Sequence, residues 1–259
     1  MKILYLMKKA ILNPMLAIKV IRKFITRIFL FFPSGNDVFI IIDELKLVRI
    51  IKTYYQSSYV SKVKIIWDIG AEDGSTVSLY LRLFPKAVIY AMEPTIHTFN
   101  KFSKYFDGNT RVVPLNYAGS NKENTAKLYH GGTDPQNSLN SPRLWKGTYE
   151  LVSTRRIDTL CDELSVDRIN ILKIDVEGHD LQVLHGAERL FSEGRVDLII
   201  VECSFNNKDL FHANFIDIND YLSSFNYNVC GFNELHKFSR IDEDKIFTLR
   251  YCDAIFARS

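Results

Sequence analysis

Cysteine is scarce in this 259-residue chain, and no paired-cysteine spacing occurs. Cys161, Cys203, Cys230 and Cys252 are widely separated, which argues against a zinc ribbon and against a disulfide scaffold. They read as buried free thiols in a reducing compartment. Only 12 glycines and 7 prolines are present, too few for a long low-complexity linker. No uninterrupted apolar run approaches the ~20 residues that cross a bilayer. Acidic residues are missing from positions 1–36, which hold Lys2, Lys8, Lys9, Lys19, Arg22, Lys23 and Arg27. The whole chain carries +3, so residues 37–259 carry a net −4. That mildly acidic body gives no reason to expect nucleic acid as a partner. What remains is ordinary globular material, 47% hydrophobic and 24% charged, in a chain long enough to bury a sizeable core.

The charge asymmetry divides the chain into a basic, helical N-terminal extension over residues 1–60 and a main domain over 61–259. From about Pro14 to Phe32, Ile18, Ile21, Ile25, Ile28 and Phe32 recur at helical spacing, with most basic residues elsewhere on the wheel. Such a helix can cover a core or partner subunit, or lie in the plane of an anionic membrane. Basic residues interrupt the apolar stretch up to Arg27 and no A-x-A site follows Phe32, so it is a poor signal peptide. The expected location is cytoplasmic, with peripheral membrane contact through residues 14–32 as the open alternative. A further helix, Asp43 to Tyr55, leads into the main domain.

From Val63 onward, short apolar runs alternate with helical periodicity. Strands are expected at Val63–Trp67, Ala87–Met92, Arg111–Leu115, Ile169–Ile174, Val196–Val201, Tyr227–Gly231 and Tyr251–Ala257. Helices are expected at Ser75–Phe84, Thr95–Phe106 and Asn214–Phe225, and along a face made by Leu181, Leu184, Ala187 and Phe191. This pattern predicts an α/β fold: a mostly parallel sheet covered by helices on both faces. The stretch Gly131–Gly147 breaks the rhythm and reads as a long loop, which in a compact domain is usually functional or disordered.

Chemistry concentrates where strands end. Asp68-Ile69-Gly70-Ala71-Glu72-Asp73-Gly74 joins a strand to a helix, and its two glycines let the backbone turn sharply beside a ligand. Amides at the helix start suit a polar or anionic group. Glu93, 25 positions after Asp68, ends the next strand, where an acid can accept the hydroxyls of a ribose. Together they indicate a nucleoside-containing cofactor. A nicotinamide dinucleotide needs G-x-G-x-x-G, but Glu72 stands where its second glycine should be. S-adenosylmethionine has no phosphate, and its cationic groups favour Asp68 and Asp73 as neighbours.

The second concentration is Lys173-Ile174-Asp175-Val176-Glu177-Gly178-His179-Asp180. Asp175, Glu177 and His179 are candidates for a general base and for holding an acceptor hydroxyl. Glu177 and Asp180 could instead cap a helix, and Lys173 is expected to pair with a carboxylate. Glu202 ends a further strand on the same edge. Asp175, Glu202 and His179 could gather around a divalent cation, but no tight ligand motif exists, so no metal is expected. His97, His130, His185, His212 and His236 lack ligand spacing and read as surface or packing residues. Cys203 reads as packing.

Five blocks in order carry a resemblance. They are Asp68-Ile69-Gly70-Ala71-x-x-Gly74, Ala91-Met92-Glu93-Pro94, Ile157-Asp158-Thr159-Leu160, Leu172 to His179 with Leu184-x-Gly186-Ala187, and Ile199-Ile200-Val201-Glu202. From about Val63 to Glu202 the chain resembles the FkbM-type methyltransferases. The resemblance implies a Rossmann-like class I methyltransferase fold, S-adenosylmethionine as donor, and methylation of a hydroxyl on a sugar, glycan or small natural product. By position it implies that Asp68, Gly70, Ala71 and Gly74 line the methionine and ribose, that Glu93 holds the ribose, and that Asn116 and Ala118 flank the adenine. Asp175 would face the transferring methyl. Glu72 departs from the family, which more often has Asn there. The competing readings are a non-catalytic scaffold on the same fold and a nicotinamide oxidoreductase.

Overall fold

A computed structural model describes residues 48–55, 59–130, 137–139, 148–206, 209, 211–236, 239–241, 246–248 and 251–259. The chain divides into two units, Met1–Arg49 and Ile50–Ser259. The basic helix expected over 14–32 lies outside the described residues, as do residues 131–136 and 140–147 of the expected long loop. No helix among the described residues is long and apolar enough to cross a membrane.

Seven strands of the second unit form one sheet: β1 (Ile65–Ile69), β2 (Val88–Met92), β3 (Val112–Leu115), β8 (Ile169–Ile174), β9 (Val196–Cys203), β10 (Tyr227–His236) and β13 (Tyr251–Arg258). Their order is β10-β13-β9-β8-β1-β2-β3, and β11 (Ser239–Ile241) and β12 (Ile246–Thr248) form a separate antiparallel pair. Neighbours from β9 to β3 run parallel, and β13 lies antiparallel between β9 and β10. Every residue of β8 and β9 is buried, because helices cover both faces of the central strands. Hence these strands are rich in Ile, Val and Leu, interrupted by Asn170, Lys173, Asp197 and Glu202. The intervening helices include α1 (Ser75–Leu83), α2 (Ile96–Tyr105), α3 (Ile157–Glu163), α4 (Asp180–His185), α5 (Glu188–Ser192) and α6 (Phe215–Ser223). Trp67, Ile69, Leu172, Val183, Phe191, Ile199 and Phe256 belong to one continuous core cluster.

Three features depart from the reading of the sequence. The helix face from Leu181 to Phe191 is two helices, α4 and α5, broken at Gly186-Ala187, although Leu184, Ala187 and Phe191 are all buried. The break is held by Asp158, whose carboxylate accepts from the amides of Arg189 (3.2 Å) and Leu190 (3.1 Å) at the start of α5. Next, the segment between β3 and α3 contains a four-stranded sheet, ordered β4-β7-β5-β6. Its strands are β4 (Ala118–Gly119), β5 (Thr125–His130), β6 (Asn137–Ser138) and β7 (Tyr149–Arg155). The supposed loop Gly131–Gly147 therefore contributes a short strand, β6, paired antiparallel with the end of β5. Finally, Cys230 is exposed, whereas Cys161, Cys203 and Cys252 are buried free thiols.

Candidate active site

The chain steps from β1 to β2 on one side, and β8 enters on the other. The crevice at the carboxyl ends of β1 and β8 is thus a topological switch point, the place where open α/β sheets take ligands. The two loops that meet there touch closely. The Asp175 amide donates to the Ile69 carbonyl (3.0 Å), and a Cβ added at Gly70 would overlap the Asp175 carbonyl oxygen. Gly70 has φ +89°, a left-handed conformation open to glycine. Gly74 (φ +84°) starts α1 against the rings of Phe102 and Phe106.

The glycine turn does not offer its amides to an anion, contrary to the expectation from its sequence. Gly70 and Ala71 both donate to the Met92 carbonyl (3.0 and 2.9 Å). Glu72 donates to Glu93 Oε2 (3.1 Å), Gly74 to the Ala71 carbonyl (2.8 Å) and Ser75 to Asp73 Oδ1 (2.9 Å). With these donors engaged, a pyrophosphate has little left to bind. Ala71 is buried. Glu93 is buried at the end of β2, with its second oxygen accepting from the Thr95 amide (2.9 Å). Each carboxylate oxygen retains a lone pair for a ligand hydroxyl. Burial pushes the Glu93 carboxyl above its ordinary value, opposed by these backbone donors.

Asn116 braces the same edge. Its amide donates to the Glu93 and Pro94 carbonyls (2.9 and 3.0 Å). Ala118 lies in β4, its methyl in a small core with Leu128 and Val152, so what it can offer a ligand is backbone.

Asp68 is fully buried on β1, and neither carboxylate oxygen has a hydrogen-bond partner. Burial pushes its pKa up to about 7; Lys173, its register partner on β8, pulls down and Asp175 pushes up. Lys173 Nζ ion-pairs with Asp175 (2.7 Å), as the alternation of β8 predicts. Burial pulls the Lys173 pKa down, but Asp175, Asp253 and Asp68 together hold it well above the ordinary value. Asp175 remains about one-third exposed at the strand end.

Beyond Asp175 the chain turns through Glu177 (φ +55°) and Gly178 (φ +89°) into α4. Asp180 closes that turn from a fully buried position, accepting from the amides of Val176 (3.2 Å) and Gly178 (3.0 Å). Burial, aided by Asp175, pushes its pKa up to about 7. His179 Nε2 lies 3.0 Å from Ser120 Oγ, and burial pushes its pKa down to about 4, so the imidazole is neutral at pH 7. Ser138 of β6, also buried, donates to the Glu177 carbonyl (2.7 Å). The small sheet therefore buttresses the site.

Glu202 lies near the end of β9, opposite Asp253 of β13. Burial, then Asp175, Asp180, Glu177 and Asp253, raise its pKa well above the usual carboxylate range. His179 does not complete a cluster with Glu202 and Asp175, because its ring turns to Ser120. His212, buried and stacked on Tyr251 as a packing residue would be, is the histidine that lies near Glu202. One ligand atom each from Glu177, Glu202 and His212 lie within 4.8 Å of one another. Ser120 escaped the reading of the sequence, and His212 is given no ligand role there; only Asp209-x-x-His212, shortly after Glu202, carried a signal.

Residues 68–229 match the methyltransferase FkbM domain. Among curated proteins, the chain is 28% identical over 146 residues to the hexuronic acid methyltransferase AglP of Haloferax volcanii, covering 53% of this chain and 55% of that one. It is 24% identical over 164 residues to the 2-O-methyltransferase NoeI of Sinorhizobium fredii, covering 58% of this chain and 66% of the relative. The chain thus spans between half and two thirds of the length of these relatives. The fibrillarin/Nop5p complex aligns with 76% of this chain and 73% of its own at 13% identity and a TM-score of 0.46, too distant to add to the strand order. The match over most of the main domain shows that this chain belongs to the FkbM methyltransferase family.

Proposed function

We propose that this protein is an S-adenosylmethionine-dependent O-methyltransferase whose acceptor is a hydroxyl of a sugar-like molecule. The observation that carries the reading is Asp68, a buried carboxylate with both oxygens unpartnered at the switch point. An uncompensated buried acid is costly unless a cationic group meets it in the working state. The cofactor's ammonium is such a group, and Glu93 suits its ribose. The engaged amides of the glycine turn favour a cofactor without phosphate. When bound, S-adenosylmethionine supplies an electrophilic methyl on a sulfonium. The sugar-like acceptor rests on the printed activities of the two relatives, which act on a hexuronic acid and at a 2-O position.

On this reading the chain mainly orients the reactants. Asp175 accepts a hydrogen bond from the acceptor hydroxyl and receives its proton as transfer proceeds. Lys173 holds the Asp175 carboxylate in place. Glu177 and His179 shape the acceptor side; His179, neutral and engaged with Ser120, serves as a hydrogen-bonding group rather than a cation.

Two measurements test this. Glu93→Gln should weaken S-adenosylhomocysteine binding by about 1–3 kcal/mol in calorimetry, the range for hydrogen bonds to a charged group. Unchanged affinity, or tighter binding of NADH than of S-adenosylhomocysteine to the wild type, overturns the cofactor assignment. Asp175→Asn should lower turnover with labelled donor and uronic-acid oligosaccharides by on the order of 10²-fold, with cofactor affinity little changed. An equal loss in both would move Asp175 to the cofactor.

A further inference from the structure

We infer that Glu177, Glu202 and His212 form a binding site for one divalent first-row cation of the Mn²⁺ type, beside Asp175 at the acceptor end of the cleft. Three residues from three separate segments converge here: the loop after β8, the end of β9, and the return loop before α6. The return is built by backbone pairing. The Ser204 amide donates to the Ala213 carbonyl (2.9 Å) and the Phe215 amide to the Ser204 carbonyl (2.9 Å), which folds His212 back over Glu202.

His212 is the observation that points to a ligand. Its side chain is 1% exposed, yet Nε2 has no hydrogen-bond partner and sits 3.7 Å from Glu202 Oε2, which has none either. That separation is too long for a hydrogen bond and leaves room for an ion between them. The other ring nitrogen is fixed. His212 Nδ1 lies 2.9 Å from Asp209 Oδ2, and a carboxylate accepts, so the proton belongs on Nδ1 and Nε2 presents a lone pair. Asp209 is itself held by the amides of Phe211 (2.8 Å) and His212 (3.2 Å). Tyr251 stacks on the imidazole at 4.2 Å between centroids and 17° between planes. A carboxylate orienting a histidine whose far nitrogen is free is how proteins prepare an imidazole for a metal.

The donor set selects the ion class. Two carboxylates suit hard cations and one imidazole suits borderline ones, and the combination fits Mn²⁺ with remaining positions for water or substrate oxygens. Charge agrees, because Asp175, Asp180 and Asp253 also act on Glu202, and Lys173 pairs with Asp175. A bound ion could receive neighbouring oxygens of a sugar acceptor; that use alone rests on the methyltransferase reading.

The test uses full-length protein treated with EDTA and dialysed. Mn²⁺ titrated in and followed by its EPR signal should bind at one per chain. Glu177→Gln and His212→Ala should each weaken binding at least tenfold, and Asp209→Asn about 10–100-fold, through loss of ring orientation. Circular dichroism confirms folding, and Glu177→Gln, on a turn, is the variant least exposed to misfolding. No Mn²⁺ binding at millimolar concentration, or binding unchanged in all three variants, overturns the site. S-adenosylhomocysteine calorimetry on the same samples reports on the methyltransferase reading independently. If both ligands bind but methyl transfer is indifferent to EDTA, the acceptor-holding role is overturned.

Discussion

Asp68→Asn is expected to make the ligand-free protein more stable at pH 8 relative to wild type, with a much smaller gain at pH 5, while weakening S-adenosylhomocysteine binding at least tenfold. The sign follows from the direction of the shift. Unfolded, the carboxyl titrates near 3.8; folded and buried, it titrates at about 7. Between those values the native state holds a proton that the unfolded chain has released, so stability falls as pH rises and the penalty is complete above about pH 7. At ~1.4 kcal/mol per unit the difference is about 4 kcal/mol. Asparagine carries no charge at any pH, so the penalty disappears, less about 1–3 kcal/mol for burying its amide. In a domain of this size each kcal/mol moves Tm by roughly 2–4 °C. Asp180 titrates over the same window but is present in both proteins and cancels. Thermal unfolding at the two pH values decides the matter. A Tm difference that does not grow with pH would mean Asp68 is not a strained carboxylate, and the cofactor reading would lose its main support.

A stabilising substitution that removes ligand affinity is the expected signature of a binding group, because the cost of burying the charge in the free protein is recovered when a cation arrives. The same logic separates the acids along this edge. Glu93 is satisfied by two backbone amides and stands ready for neutral hydroxyls. Asp175 already has Lys173. Asp180 is used by the turn it closes. Asp68 is the carboxylate of this group whose oxygens have no hydrogen-bond partner.

How much of this was legible follows from where each signal lives. Strands β8 and β9 announce themselves because burial on both faces demands predominantly apolar residues. The small sheet was hidden for the opposite reason. β5 reads Thr-Ala-Lys-Leu-Tyr-His, with Leu128 as its buried residue, a pattern of a half-solvated sheet that apolar runs do not reveal. The places of Asp68, Glu93 and Asp175 at strand ends were legible because strand ends are where sequence distance and sheet edge coincide. The amides of the glycine turn were misread because their acceptors, Met92 and Glu93, come from the neighbouring strand. The approach of His212 to Glu202 was not legible because it depends on a loop return set by backbone pairing at Ser204, which leaves no residue pattern.

Gly70→Ala is expected to be strongly damaging, costing on the order of 3–5 kcal/mol and abolishing cofactor binding. Two penalties combine. An L side chain at φ +89° costs ~1–2 kcal/mol by itself. The new methyl also overlaps the Asp175 carbonyl oxygen, a backbone atom that cannot rotate away. Asp175 is tied through its own amide to the Ile69 carbonyl, so relief requires parting the ends of β1 and β8 at the switch point. That movement displaces Asp68 and Asp175 together. Gly108 supplies the control, since it has φ +76° and nothing within 4 Å of an added Cβ. Gly108→Ala should therefore lose only the conformational part, roughly 1–2 kcal/mol, and keep cofactor affinity. Denaturant unfolding of the two variants, with S-adenosylhomocysteine calorimetry on each, makes the comparison. If Gly70→Ala is no less stable than Gly108→Ala, or binds cofactor as the wild type does, then the contact between the two loops does not shape the cleft.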